Sequence, residues 1–177
     1  MKKLYPIITA TSLVFIASLA GYHLPATGDR SPVIPVFIPD NTKVSLKNGT
    51  SLSGRLIKFD SQAKKIALGR ESKTKEVAMK EIEQIEFQGK VTIKSGELVI
   101  RGEGGSSNPN QNRQRWQEPL QNFKIVDVNK GKAEVTLTSL KPLELRGIEA
   151  VAVNSSYVVE EIKFNPSDKI EIQVNPH

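Results

Sequence analysis

The sequence predicts an all-β protein: a small, strongly bent five-stranded barrel followed by a small β-sandwich-like C-terminal domain, after an N-terminal signal helix. Three observations carry this. Apolar residues recur with period two, as in Ile66-Ala-Leu68, Ala133-Glu-Val135-Thr-Leu137 and Ile170-Glu-Ile172-Gln-Val174. Turn dipeptides such as Asn48-Gly49 punctuate those runs, and no apolar stretch after residue 20 keeps a 3.6-residue period long enough for a stable helix.

The 177 residues carry 25 Lys+Arg against 19 Asp+Glu, a formal charge of +6, and removing Lys2 and Lys3 with the leader leaves about +4. Bases and acids are interspersed. That favours weak attraction to anionic partners and lacks the massed stripe of a nucleic-acid binder. The absence of cysteine excludes disulfides, thiolate ligands and a Cys nucleophile.

Residues 1–20 combine Lys2-Lys3, an apolar run through Val14-Phe-Ile-Ala17, and small Ser18 and Ala20 at signal-peptidase spacing. They are expected to be a signal peptide or an uncleaved anchor, and either places the rest of the chain outside the cytoplasm. Leu24-Pro-Ala-Thr-Gly28 spells a sortase motif, but that chemistry needs a C-terminal position ahead of a hydrophobic tail. Residues 21–40, with Pro25, Pro32, Pro35 and Pro39, are expected to form an extended tether whose apolar residues cover an edge or face of the sheet that follows.

The barrel is assigned to residues 41–101. Val44 and Leu46 lead into Asn48-Gly49, a two-residue hairpin turn; Leu52–Phe59 is a strand bent at Gly54; Ile66 and Leu68, then Val77 and Met79, make two more; Lys80-Glu81 turns into Ile82, Ile85 and Phe87. Val91-Thr-Ile-Lys-Ser-Gly96 echoes Val44-Ser-Leu-Lys-Asn-Gly49, which either marks a degenerate repeat or adds a hairpin to the same sheet. Leu52-x-Gly54-x-Leu56-x-x-Phe59-Asp60, with the preceding Asn-Gly and the following Ile66-x-Leu68, resembles the first signature of Sm-like domains, a branch of the Src-homology-3-like barrels. The resemblance implies a barrel and, in its family, RNA contacts from an Asn after the motif Asp and from an Arg-Gly pair. Here Lys64 or Lys65 stands near that Asn, and Ile100-Arg101-Gly102 falls after the strand series. RNA binding is therefore not expected, and Asp60 is expected to cap a turn.

Residues 102–117 read as a flexible linker, almost without apolar content before Trp116. Residues 118–177 are expected to hold five or six strands: Phe123–Val128, Ala133–Leu137, the apolar Ile148–Val153, Tyr157–Phe164 and Ile170–Val174. The Trp116…Ala133-Glu-Val…Tyr157-Val-Val-Glu-Glu-Ile arrangement is similar to exported cyanobacterial proteins of no assigned activity, and with the leader implies a periplasmic or thylakoid-lumenal location.

The residues offer no catalytic constellation. The histidines, His23 and His177, lie beside the processing site and at the last position; Glu160 and Glu161 are strand neighbours that face opposite sides. No metal, cofactor or enzymatic activity is expected. The expected role is non-catalytic protein–protein contact or structural support at the cell envelope, with an envelope protein as partner; the alternative is binding of an anionic lipid surface or envelope polysaccharide. The candidate interaction surface is Arg113, Arg115, Trp116, Lys47, Arg55 and Lys58, with Lys64 and Lys65 added for an anionic polymer. Trp116 has a second reading, as the first core residue of the C-terminal unit beside Pro119, Leu120 and Phe123.

Overall fold

The computed structural model describes residues 31–70, 73–94, 97–102, 113–139, 144, 147–148 and 156–176. The leader, residues 21–30 of the tether, residues 103–112 of the expected linker and all of Ile148–Val153 except the buried Ile148 lie outside them. The described residues form thirteen strands: β1 (Val33–Phe37), β2 (Asn41–Leu46), β3 (Ser51–Asp60), β4 (Lys65–Arg70), β5 (Lys73–Ala78), β6 (Ile82–Gln88), β7 (Lys90–Lys94), β8 (Glu97–Gly102), β9 (Gln114–Pro119), β10 (Phe123–Asp127), β11 (Lys132–Thr136), β12 (Tyr157–Asn165) and β13 (Lys169–Pro176). Single 3-10 turns, Met79–Glu81 and Leu120–Asn122, precede β6 and β10. The chain is all-β, as the period-two pattern requires, and its main sheet curls as a half-barrel.

Alternation and burial agree strand by strand. In β1, Ile34 and Val36 are buried while Val33 and Pro35 are exposed. β1 is paired on both sides: antiparallel with β11 from Val33↔Thr136 to Phe37↔Lys132, and parallel with β12 at Val36↔Tyr157 and Phe37↔Val158. This part of the expected tether is therefore an interior strand, since alternating apolar residues outweigh one missing Pro35 N–H.

The Asn48-Gly49 hairpin has a three-residue loop in place of the expected two. Ser45 pairs with Ser51, the Gly49 N–H donates to the Leu46 carbonyl at 2.9 Å, and Gly49 takes φ 83°. Only the glycine enters the left-handed region, while Asn48 Oδ1 accepts from the Thr50 N–H at 3.0 Å. β3 then changes partners within its own length, pairing β2 up to Thr42↔Gly54 and β4 from Arg55↔Gly69. A Cβ on Gly54 would stand 3.0 Å from the Gly69 carbonyl oxygen, so a side chain at the bend would force the facing backbone to give by a few tenths of an ångström.

Eleven of the strands form one sheet, in the order β10-β11-β1-β12-β6-β2-β3-β4-β5 with β13 on β12 and β9 on β13. This corrects the division into a barrel, a linker to residue 117 and a separate C-terminal domain: β12 binds β13 along its whole length on one edge, and on the other binds β1 and then β6 through Ile162↔Ile85. Both isoleucines are fully buried, and one apolar cluster runs from Ile34 to Val174. The polar composition that marked 114–117 as linker conceals a strand. Trp116 and Glu118 face inward and Arg115 and Gln117 outward, and the inward glutamate masks the alternation. β7 and β8 pair only with each other, so they do not extend the main sheet.

The two halves of that sheet repeat one arrangement in different chain order. β6-β2-β3-β4-β5 is matched by β10-β11-β12-β13-β9, with β1 inserted between β11 and β12. Phe59↔Ile66 and Ile66↔Val77 correspond to Phe164↔Ile170 and Ile170↔Glu118. The turns after β3 and β12 each end in a residue of positive φ, Lys64 at 51° and Asp168 at 55°, the only non-glycines so described. The carbonyl of each accepts from the first N–H of a 3-10 turn, Met79 to Lys64 at 2.8 Å and Leu120 to Asp168 at 3.1 Å. In the first half β4 runs directly into β5; in the second, the equivalent β9 precedes β12 in the chain. This is a circularly permuted repeat, unrelated to the Val44/Val91 echo in the sequence.

Glu118 holds the end of β11 to this frame. It is fully buried and satisfied: Oε1 accepts from the N–H of Thr138 at 2.9 Å and of Ser139 at 3.1 Å, and Oε2 from the Thr138 hydroxyl at 2.6 Å and Asn122 at 2.9 Å. Glu118→Ala would orphan these donors and is expected to cost about 2–4 kcal/mol, read as a shift in the denaturant midpoint. Gly54→Val is expected to cost about 1–3 kcal/mol through collision with the Gly69 backbone, measured the same way.

Candidate functional site

Where the two halves abut, the turns that end in Lys64 and Asp168 meet and enclose a cleft of about 640 Å³. Among the described residues, its rim carries four lysines: Lys47 from the β2–β3 hairpin, Lys64 from the turn before β4, Lys65 from the start of β4, and Lys80 from the 3-10 turn before β6. Apolar groups of Met79, Leu120 and Phe164, with Ala63, Ala78 and Pro166, form its walls. Among the described residues, the only acid on the lining is Asp168.

Local structure explains each placement. Lys47 is the first loop residue of the hairpin, and its N–H donates to the Glu81 carbonyl at 2.9 Å, which ties the hairpin to the 3-10 turn that bears Lys80. Lys64 closes its turn with positive φ, opposite Asp60, whose Oδ1 accepts from the Ala63 N–H at 2.8 Å. Asp60 thus caps the turn, as expected. Behind the lining, the Phe164 ring stacks on Phe59 at 6.2 Å across the seam, and Phe59 meets Phe123 edge-on at 4.9 Å.

Two of the four ammonium groups already have partners. Lys64 Nζ donates to both carboxylate oxygens of Asp168, at 2.7 and 2.9 Å, and Lys65 Nζ lies 3.1 Å from Glu76. Lys47 and Lys80 are exposed, and among the described residues no carboxylate lies within ion-pair distance of either. The cleft therefore offers two open cations and two exchangeable ones above an apolar floor. It has no nucleophile–base pair, and among the described residues no group of His, Asp and Glu could hold a metal ion.

The residues expected to share an interaction surface are dispersed. Arg113 Nε is 2.8 Å from Glu160; Arg115 lies on β9 beside Gln173 and Glu171; Arg55 pairs with Asp40 at 3.0 Å and Lys58 with Asp60 at 3.0 Å. Trp116 is 1% exposed and packs edge-on against Tyr157 at 5.1 Å, so it is a core residue and presents no ring to a ligand. Of the six, only Lys47 lines the cleft; Lys64 and Lys65, from the wider basic set, join it. Lys80, Phe164 and Asp168 were not singled out, because no local signal marks residues that meet only when distant turns abut.

The Asp60 carboxyl is held below the usual carboxylate range, first by the Ala63 N–H and then by the Lys58 ammonium. A carboxyl depressed in the folded state adds stability above its unfolded value, and this is lost as pH falls through the folded value. Asp60→Asn is therefore expected to lower stability at neutral pH and to flatten its decline below about pH 4, measured by urea titrations at successive pH values. Comparison with protein-family models, curated proteins and solved structures found no match to this chain.

Proposed function

We propose that this chain is a non-catalytic binding module of the cell envelope whose lysine-rimmed cleft holds an acidic segment of a partner protein. The observation that carries the reading is the cleft's composition: four lysines against one aspartate, over walls of Met79, Leu120 and Phe164. Carboxylates suit the rim, and apolar side chains between them suit the floor. A planar membrane would not enter a concave site, and a glycan needs the planar hydrogen-bonding side chains that this lining supplies only at Asn165 and Asp168. Export to a periplasm or thylakoid lumen rests on residues 1–20 and on the resemblance to exported proteins.

The fold reading extends the same way. We read β2 to β6 as a Src-homology-3-like barrel of the Sm-like kind, supported by the order β6-β2-β3-β4-β5 and the 3-10 turn ahead of the last strand. The second half, expected as a small sandwich, is better read as the same barrel permuted. The alternative expected from the sequence, an anionic lipid surface or polysaccharide, would use the same exposed lysines but not the concave, apolar part of the lining.

In a pull-down from an envelope fraction, the double variant Lys47→Glu/Lys80→Glu is expected to lose the partner that the wild-type chain retains, and raising salt from about 0.05 to 0.5 M to release it. Recovery of the same proteins by both forms would remove the cleft from the interaction.

A further inference from the structure

We propose that Asp168 is a built-in competitor for the cleft: its carboxylate occupies Lys64 in the empty site and is displaced by a carboxylate of the incoming segment, so the site selects ligands with several closely spaced acids. This rests on the reading that the cleft lysines bind an acidic protein segment, and adds how they are regulated.

The geometry provides a fixed backbone and a free side chain on both sides. Lys64 and Asp168 occupy equivalent positions in the two halves, both of positive φ, and the carbonyl of each is anchored by the N–H of Met79 or Leu120. The anchors hold the two Cα atoms at the seam, whereas the side chains are 56% and 63% exposed. A bidentate contact between side chains so exposed is worth only about 0–1 kcal/mol. It therefore forms and opens readily when the cleft is empty, and yields to any ligand that brings an equivalent carboxylate with some further gain.

That further gain sets the selectivity. A single carboxylate that replaces Asp168 exchanges one ion pair for another and gains almost nothing. A segment with several acids first meets Lys47 and Lys80, which have no carboxylate partner, and the gain there offsets the opening of Lys64. Asp168 then turns outward without backbone movement. The two halves have thus diverged at one equivalent position into opposite charges that close the site on itself.

The test is fluorescence anisotropy with a labelled peptide of alternating Glu and Leu, titrated with the full chain at low salt. Asp168→Asn and Lys64→Asn both suit a positive-φ position, where Asn is among the best-tolerated residues, so fold and stability are preserved and are checked by circular dichroism. Asp168→Asn is expected to tighten binding about three- to fivefold, and to lose most of that gain in a Lys64→Asn background. A gain of the same size in both backgrounds would reduce Asp168 to a general charge effect and overturn the proposal, as would no gain at all. Lys47→Gln/Lys80→Gln tests the underlying reading separately: peptide binding unchanged by that pair, or no binding by any form, removes the cleft as the acidic-segment site. Tighter, lysine-dependent binding of a sulfated oligosaccharide than of the peptide would assign the cleft to polysaccharide and also overturn the proposal.

Discussion

The pairing of β12 with β6, centred on the buried Ile162 and Ile85, is the contact on which the rest of the structure depends. Each half alone would leave a sheet edge and an apolar face open. Joining them through β12 closes the edge of β6 and places both sets of inward side chains in one cluster. β12 can do this because it is nine residues long: β1 and β6 bind it in succession on one edge while β13 takes the other. The strand that the sequence assigned to a second domain is thus the axis of a single one.

The cleft follows from that junction. Bringing permuted halves together back to back makes equivalent turns meet, and the residues that close those turns are Lys64 and Asp168. The charges on the rim are unequal because the first half supplies all four lysines, while the second supplies Leu120, Phe164, Asn165, Pro166 and Asp168. Binding at such a site is governed by charge balance and salt as much as by shape. Outside the cleft, the exposed large hydrophobics among the described residues are Val33 and Val126.

The candidate surface was legible only in part. Lys47, Lys64 and Lys65 could be named because each sits beside a turn signal, Asn48-Gly49 or Asp60, and so had to be exposed. Arg55, Lys58, Arg113 and Arg115 were equally exposed by pattern, but each lies next to an acid: Asp40 just ahead of β2, Asp60 on the same strand, or Glu160 and Glu171 on strands that only the pairing brings near. Trp116 shows the same limit from the other side. Its polar surroundings read as linker, yet every second residue of β9 faces inward, and β13 supplies the partner that makes it a strand.

Taken alone, the sequence determined the described strands other than β1 and β9, and most of their bounds, since period-two burial and turn residues act within a few neighbours. It also pointed to a bend at Gly54 and a hairpin turn at Asn48-Gly49, which the structure shows as a close approach to Gly69 and a positive φ at Gly49. Only the tertiary structure decided that the two β units are one sheet, that β1 lies inside it, that Glu118 is a buried acceptor and that Lys80 and Asp168 share a site. These depend on which edges find each other, and edge pairing is a long-range choice: hydrogen bonds between backbones are the same for any strand, so the selection falls to buried side chains contributed by residues far apart in the chain.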